Sequence, residues 1–241
     1  MHVVSLVDYL NNVGGGAELS ARLVISGLAD RPEVDRVTVV GLDRPDAERL
    51  DYPGVEVVPV SPPPLLDDGP DFLGDLLLDR RIASAAADNA VDADVIHAHH
   101  RRSTMALQHL HTDTPTVGTV RDFWPICPIS IYYVDGEVCT GCDDRLDDCL
   151  SYQDWDGLAE PGIRGYLRTK RVHNRRAFDP DHAVFIADHI RREVSNSVET
   201  PPSTVIYNPV SFDREPRHDR PDRPTFVVAS TLSKEKGVDT A

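Results

Sequence analysis

The chain has 241 residues and a mass of 26.7 kDa, enough for one large or two small domains with buried cores, which excludes a small stapled scaffold. Its 25 Lys and Arg face 40 Asp and Glu, a formal charge of −15, and that excess repels nucleic acid as a main partner. Lysine occurs only as Lys170, Lys234 and Lys236, and the skew to Arg and acid fits either a protein solvated in high salt or an acidic protein from a GC-rich genome.

Residues 2–8 form an apolar run without polar alternation, the mark of a strand covered on both faces. This opening has no basic segment before an apolar core, so it does not read as an export signal; the expectation is a cytoplasmic protein with reduced thiols. Gly14, Gly15 and Gly16 lead into a helix over 17–29, where Ala21, Val24, Ile25 and Leu28 recur at helical spacing. Strands at 36–42, 55–60, 95–100, 115–121, 183–187, 204–207 and 225–230 then alternate with helices near 71–90, 102–111, 163–178 and 188–195. Alternation at this spacing predicts a doubly wound parallel α/β sheet. Consecutive prolines make 61–70 an exposed loop, and the polar, Pro-rich stretch 211–224 reads as a linker. The organisation expected is one domain over 1–210, carrying a Cys-containing insertion at 123–150, then the linker and, at 225–241, the opening of a second unit. No apolar run approaches the length of a membrane span, which leaves at most peripheral contact with the inner membrane face.

Chemistry concentrates at the strand ends. A Gly-rich turn into a helix offers unpaired N–H groups to an anion, although the same residues also serve a sharp reversal; the spacing is neither a dinucleotide fingerprint nor a P-loop. His97, His99 and His100 end one strand beside the crevice where α/β sheets bind ligands, as hydrogen-bonded crevice histidines or, less fittingly, as metal ligands. Arg121 and Asp122, next to Trp124, form either a clamp for a polar ligand or a salt-bridged corner on a core Trp. Cys127, Cys139, Cys142 and Cys149 include one Cys-x2-Cys and suit a structural zinc, with free thiols or occasional disulfides as the alternatives. Lys236, in a Lys-Glu-Lys-Gly turn after a buried strand, is a phosphate-binding candidate or plain solvated surface.

Taken in order, Gly15-Gly16-Ala17-Glu18, Asp94 to His99, Val120 to Pro128, Val205 to Val210 and Leu232 to Thr240 resemble the family 4 glycosyltransferases. The resemblance implies a GT-B enzyme of two facing Rossmann-like halves that moves a sugar from a nucleotide-sugar donor to a sugar or lipid-linked acceptor, usually with retention and without a metal cofactor. It places Gly15, Gly16 and Lys236 at the donor diphosphate, Arg121 and Asp122 at the catalytic centre, and His97, His99 and Asn208 along the cleft. Arg121 stands where many members carry His, and Ser230-Thr231 where they carry Gly-Arg; the later Glu-containing donor motif has no counterpart. The expectation is an acceptor-binding half, inactive alone, whose donor half is lost, cropped or supplied as a separate polypeptide. A non-catalytic scaffolding domain is the alternative from another class. A nicotinamide-dependent dehydrogenase is disfavoured by the missing fingerprint.

Overall fold

The computed structural model describes residues 1–12, 15–44, 46–62, 71–153 and 160–211, with the backbone alone for 71–76. Seven parallel strands form one sheet: β1 (His2–Tyr9), β2 (Arg36–Leu42), β3 (Glu56–Val60), β4 (Val95–Ala98), β5 (Thr116–Val120), β8 (His182–Phe185) and β9 (Ser203–Val205), in the order β3-β2-β1-β4-β5-β8-β9. The predicted doubly wound parallel architecture is the one observed. The order reverses between β1 and β4, and in open parallel sheets the crevice above such a reversal is where ligands bind.

The two faces follow from the pleat. Val3 and Val7 of β1 point to one side, where α1 (Gly16–Ala29) buries Ala21 and Ile25 against them; Val4 and Leu6 point to the other, against Ile82, Ala83 and Ala86 of α2 (Asp71–Ala90) and Ala106 of α3 (Arg101–Leu107). Both faces are dry, which is why β1 lacks polar alternation. Two glycines permit close approach: a Cβ at Gly41 on β2 would lie 2.5 Å from Val7 Cγ2, and one at Gly118 on β5 would meet Thr104 Cγ2 and Pro180 Cγ, each at 3.1 Å. A third apolar cluster joins Val120, Trp124, Phe178 and Phe185 beneath α5 (Glu160–Ala177) and α6 (Asp188–Ser197).

Three expectations shift. β4 stops at Ala98, so His99 and His100 lie beyond the strand, and His100 is the N-cap of α3. The insertion is ordered by a hairpin, β6 (Tyr133–Val134) and β7 (Glu137–Val138), and by α4 (Leu146–Tyr152). The insertion, expected only as a Cys-containing loop, also adds to the core: Trp124, Ile126, Cys127, Val134, Cys139 and Cys149 join the cluster around Phe185. Most of the linker and all of the second unit, residues 212–241 with Lys236, lie outside the described residues, as do Gly14 and the Pro-rich loop from 63 to 70.

Candidate functional site

The carboxyl ends of β1, β4 and β5 meet the N-termini of α1 and α3 in one place. Gly15 is the extended N-cap of α1, with φ −109° and ψ 144°, and a Cβ at Gly16 would meet nothing within 4 Å. The amide end of α1 therefore stands at the sheet rim with open space beside it, as the glycine-rich turn predicts. Glu18 folds back toward this end: a Cβ on Gly15 would collide with its carboxylate, and its Oε2 is buried.

Arg121, just past β5, gathers the separate pieces. Its Nε donates to the His99 carbonyl at 2.8 Å, and Nη1 donates to Ser20 Oγ on α1 at 2.9 Å and to Asn208 Oδ1 at 2.8 Å. Ser20 Oγ also donates to Asn208 Oδ1, at 2.9 Å, closing a triangle among β5, α1 and the segment leaving β9. Burial draws the guanidinium down to about 10, with Glu18 and Asp122 opposing, so it remains a cation at neutral pH. Below it the rings of His97 and His99 lie 3.9 Å apart. His97 Nε2 is 2.8 Å from Thr119 Oγ1, and His99 Nε2 is 3.4 Å from Ser5 Oγ. Burial, reinforced by Arg121, lowers His97 to about 4 and takes His99 well below its ordinary value, so both rings are neutral. The structure thus brings Gly15, Gly16, His97, His99, Arg121 and Asn208 together.

Asp122 is not paired with Arg121. One of its oxygens accepts the Trp124 N–H at 2.7 Å, and burial raises its carboxyl against the pull of that N–H, the Ser130 hydroxyl and Arg101. Trp124 offers no face to a ligand; it is 1% exposed and meets Phe178 edge-on at 5.5 Å. Arg121 and Asp122 instead line a cavity of about 540 Å³ with Phe123, Tyr132, His189 and Glu193. A second cavity, of about 430 Å³, lies across the insertion, lined by Arg101, Ile129, Gln153, Tyr166 and Lys170 among others. Ser130 and Ile131 wall both.

Two contributors had little sequence signal. Asp8 accepts the Ser103 N–H at 2.7 Å and the Arg102 N–H at 3.3 Å, neutralising the amide end of α3. Ser20 is an unremarked position on a helix whose neighbours read as core. The hairpin, by contrast, was signalled by Asp135-Gly136 between Tyr-Val and Glu-Val: both residues have positive φ, 50° and 85°, as a two-residue turn of this kind requires.

The four cysteines are free thiols lining one small space, with Cys127, Cys139 and Cys149 buried. Burial first, then the neighbouring thiols, pushes Cys142 up to about 11 and Cys149 up to about 12. Among the described residues no three His, Cys, Asp or Glu side chains are gathered closely enough to hold a metal as placed. The zinc site expected on these cysteines is therefore not formed in this arrangement, and the crevice histidines are not a metal centre. Among the same residues no helix is long and apolar enough to cross a membrane.

No curated protein matches the chain in sequence. Solved structures match its fold: sucrose-phosphate synthase from Thermosynechococcus elongatus (TM-score 0.58, 11% identity, 86% of this chain and 48% of that one) and a UDP-glucosyltransferase from Polygonum tinctorium (0.53, 11%, 92% and 55%). A third is a transferase from Siraitia grosvenorii solved with UDP (0.50, 12%, 88% and 52%). The chain spans about half the length of these structures. Residues 14–214 match the model of Glycosyltransferase Family 4, a stretch that contains every strand of the sheet but β1, and the chain belongs to that family.

Proposed function

We propose that residues 1–210 form the acceptor-binding lobe of a glycosyltransferase that moves a sugar from a nucleotide-sugar donor, with retention and without a metal cofactor, and that a second lobe following Asn208 binds most of the donor. The observation that carries this reading is the Arg121–Ser20–Asn208 triangle. It fixes the segment leaving the sheet, at Asn208, against α1 one turn from the N-terminus at Gly16.

In that setting the Gly15–Gly16 amides take one side of the donor diphosphate. Amides already oriented at the position where the leaving group gains charge need no reorganisation as the glycosidic bond breaks. Lys236, in the next lobe, supplies the cation on the other side. The role of Arg121 is chiefly positional, since three of its N–H groups are held by His99, Ser20 and Asn208. Asp122, which with Glu193 is one of two carboxylates lining the larger cavity and adjoins Arg121, is the candidate for contact with the reacting sugar or the acceptor hydroxyl. His97 and His99, neutral and in ring contact at a tilt of 31°, give the floor hydrogen-bonding edges without adding charge.

The test is a mass-spectrometric transfer assay over a panel of nucleotide sugars with sugar and lipid-linked acceptors, run with and without EDTA. Residues 1–241 alone are expected to bind acceptor without turnover, and a chain continued through a donor lobe to transfer sugar with EDTA present. Transfer by the 241 residues alone would overturn the assignment of donor binding to the second lobe, and EDTA-sensitive transfer would overturn the metal-free mechanism.

A further inference from the structure

The larger cavity holds more charge than the transfer step uses. Of its charged lining side chains, Arg121 and Asp122 stand together after β5, while Glu193 is brought in by α6. Glu193 is half-buried, and among the described residues no cation lies within ion-pair distance of it; Arg191 on the same helix pairs with Asp188 at 2.8 Å instead. The same cavity carries a run of rings, in which Phe123 meets Tyr132 at 5.1 Å between centroids and His189 at 6.1 Å. Burial first, with Glu193 among the smaller causes, holds the Tyr132 hydroxyl above its ordinary range, so that ring stays neutral.

A ligand that fills this cavity takes water away from the Glu193 carboxylate, which costs free energy unless an opposite charge takes its place. We propose, resting on the acceptor-lobe reading above, that the acceptor taken by this cavity is a sugar or cyclitol carrying a free ammonium, with Glu193 as the counter-charge that selects it. The aromatic lining suits a cation, because the face of a ring is the negative end of its quadrupole. Orientation follows from Arg121. Its guanidinium, beside Asp122, repels an ammonium from that end, so the ammonium seats at Glu193 and an acceptor hydroxyl is left to Asp122. An anionic acceptor would face two carboxylates in a chain of net charge −15, whereas a cationic one is drawn toward it.

Residues 1–241 are titrated, without donor, with glucosamine, galactosamine and kanosamine, each against its N-acetyl form and against glucose, and binding is read by NMR. At least one free amine is expected to bind about tenfold or more tightly than its N-acetyl form, the margin of a charge-assisted hydrogen bond, and to lose affinity as salt is raised. Glu193→Gln keeps the size of the side chain and should abolish that margin while glucose affinity stays the same; Glu193→Asp should retain part of it, and thermal melts check that both variants are folded. The proposal is overturned if no amine binds, if the N-acetyl forms bind as tightly, or if Glu193→Gln keeps the margin. Binding read without donor separates this site from the transfer reaction. An amine preference that depends on Glu193, in a chain that transfers no sugar even when continued through a donor lobe, upholds the ammonium site and overturns the transferase reading. Transfer by that longer chain to neutral acceptors as fast as to amines, unaffected by Glu193→Gln, upholds the transferase and overturns the ammonium site.

Discussion

Replacing Arg121 by Met keeps the apolar stem of the side chain and removes the cation with its hydrogen bonds, so it reports what the guanidinium contributes. The charged form is penalised by burial from 12.5 to about 10, a cost on the order of 3 kcal/mol. Against this stand three hydrogen bonds from a charged donor, each worth roughly 1.5–3 kcal/mol where shielded, and the one to Asn208 is exposed. The two shielded bonds, about 3–6 kcal/mol together, exceed that cost by about 0–3 kcal/mol. Arg121→Met should therefore destabilise the domain by no more than about 3 kcal/mol, a fall in Tm of up to about 12 °C at this size. The local effect should be larger than the global one. With Ser20 and Asn208 no longer joined through the guanidinium, the Ile206 to Val210 amides should exchange faster while those of β1 and β5 do not. The assay is a thermal melt together with hydrogen exchange read by mass spectrometry. Collapse of the fold would show that Arg121 is a pillar of the core, and unchanged exchange after β9 would show that the triangle does not hold the outgoing segment; either refutes the reasoning.

Folded His97 sits near 4 against an ordinary 6.5, so as pH falls from 6.5 toward 4 the unfolded chain takes up a proton that the folded chain refuses, and stability declines over that window. Urea melts between pH 7 and 4 should show this decline, and in Arg121→Met it should be shallower, because one cause of the low value is gone. Gly41→Ala forces a methyl onto Val7 and Leu10 in the middle of the sheet and should cost about 1–3 kcal/mol, read as a shift in the urea midpoint at constant m-value. Asp8→Ala removes the acceptor for the first amides of α3 and should cost about 0.5–2 kcal/mol; an unchanged midpoint would mean solvent replaces the carboxylate at no loss.

The parallel sheet was legible because its information is local and redundant. Val3-Val4 and Leu6-Val7 in β1 and Val39-Val40 in β2 put apolar side chains at adjacent positions, as a strand buried on both faces does, and α1 carries its stripe at helical spacing. The crevice was legible as a set of residue types, Gly15, Gly16, His97, His99 and Arg121, at strand ends. Their division of labour was not. Whether Arg121 meets Asp122 or Asn208 depends on a partner 87 residues away, and no local pattern encodes it. The same holds for Asp8, whose acceptors serve a helix 94 and 95 residues on. β4 ends at Ala98 although His99 continues the run in composition: the His99 N–H gives the last ladder bond to the Leu6 carbonyl at 2.9 Å, and His100 is already the N-cap of α3. The short elements of the insertion have too few residues for periodicity to speak, and only the Asp135-Gly136 turn announced itself.

The strip of chain holding Ser130 and Ile131 is a party wall between two rooms. Trp124, Ile126 and Val134 of the same segment pack in the cluster around Phe185, so a loop exchanged here has to keep these three while it reshapes both rooms. One short stretch of chain therefore sets the shape of two cavities at once.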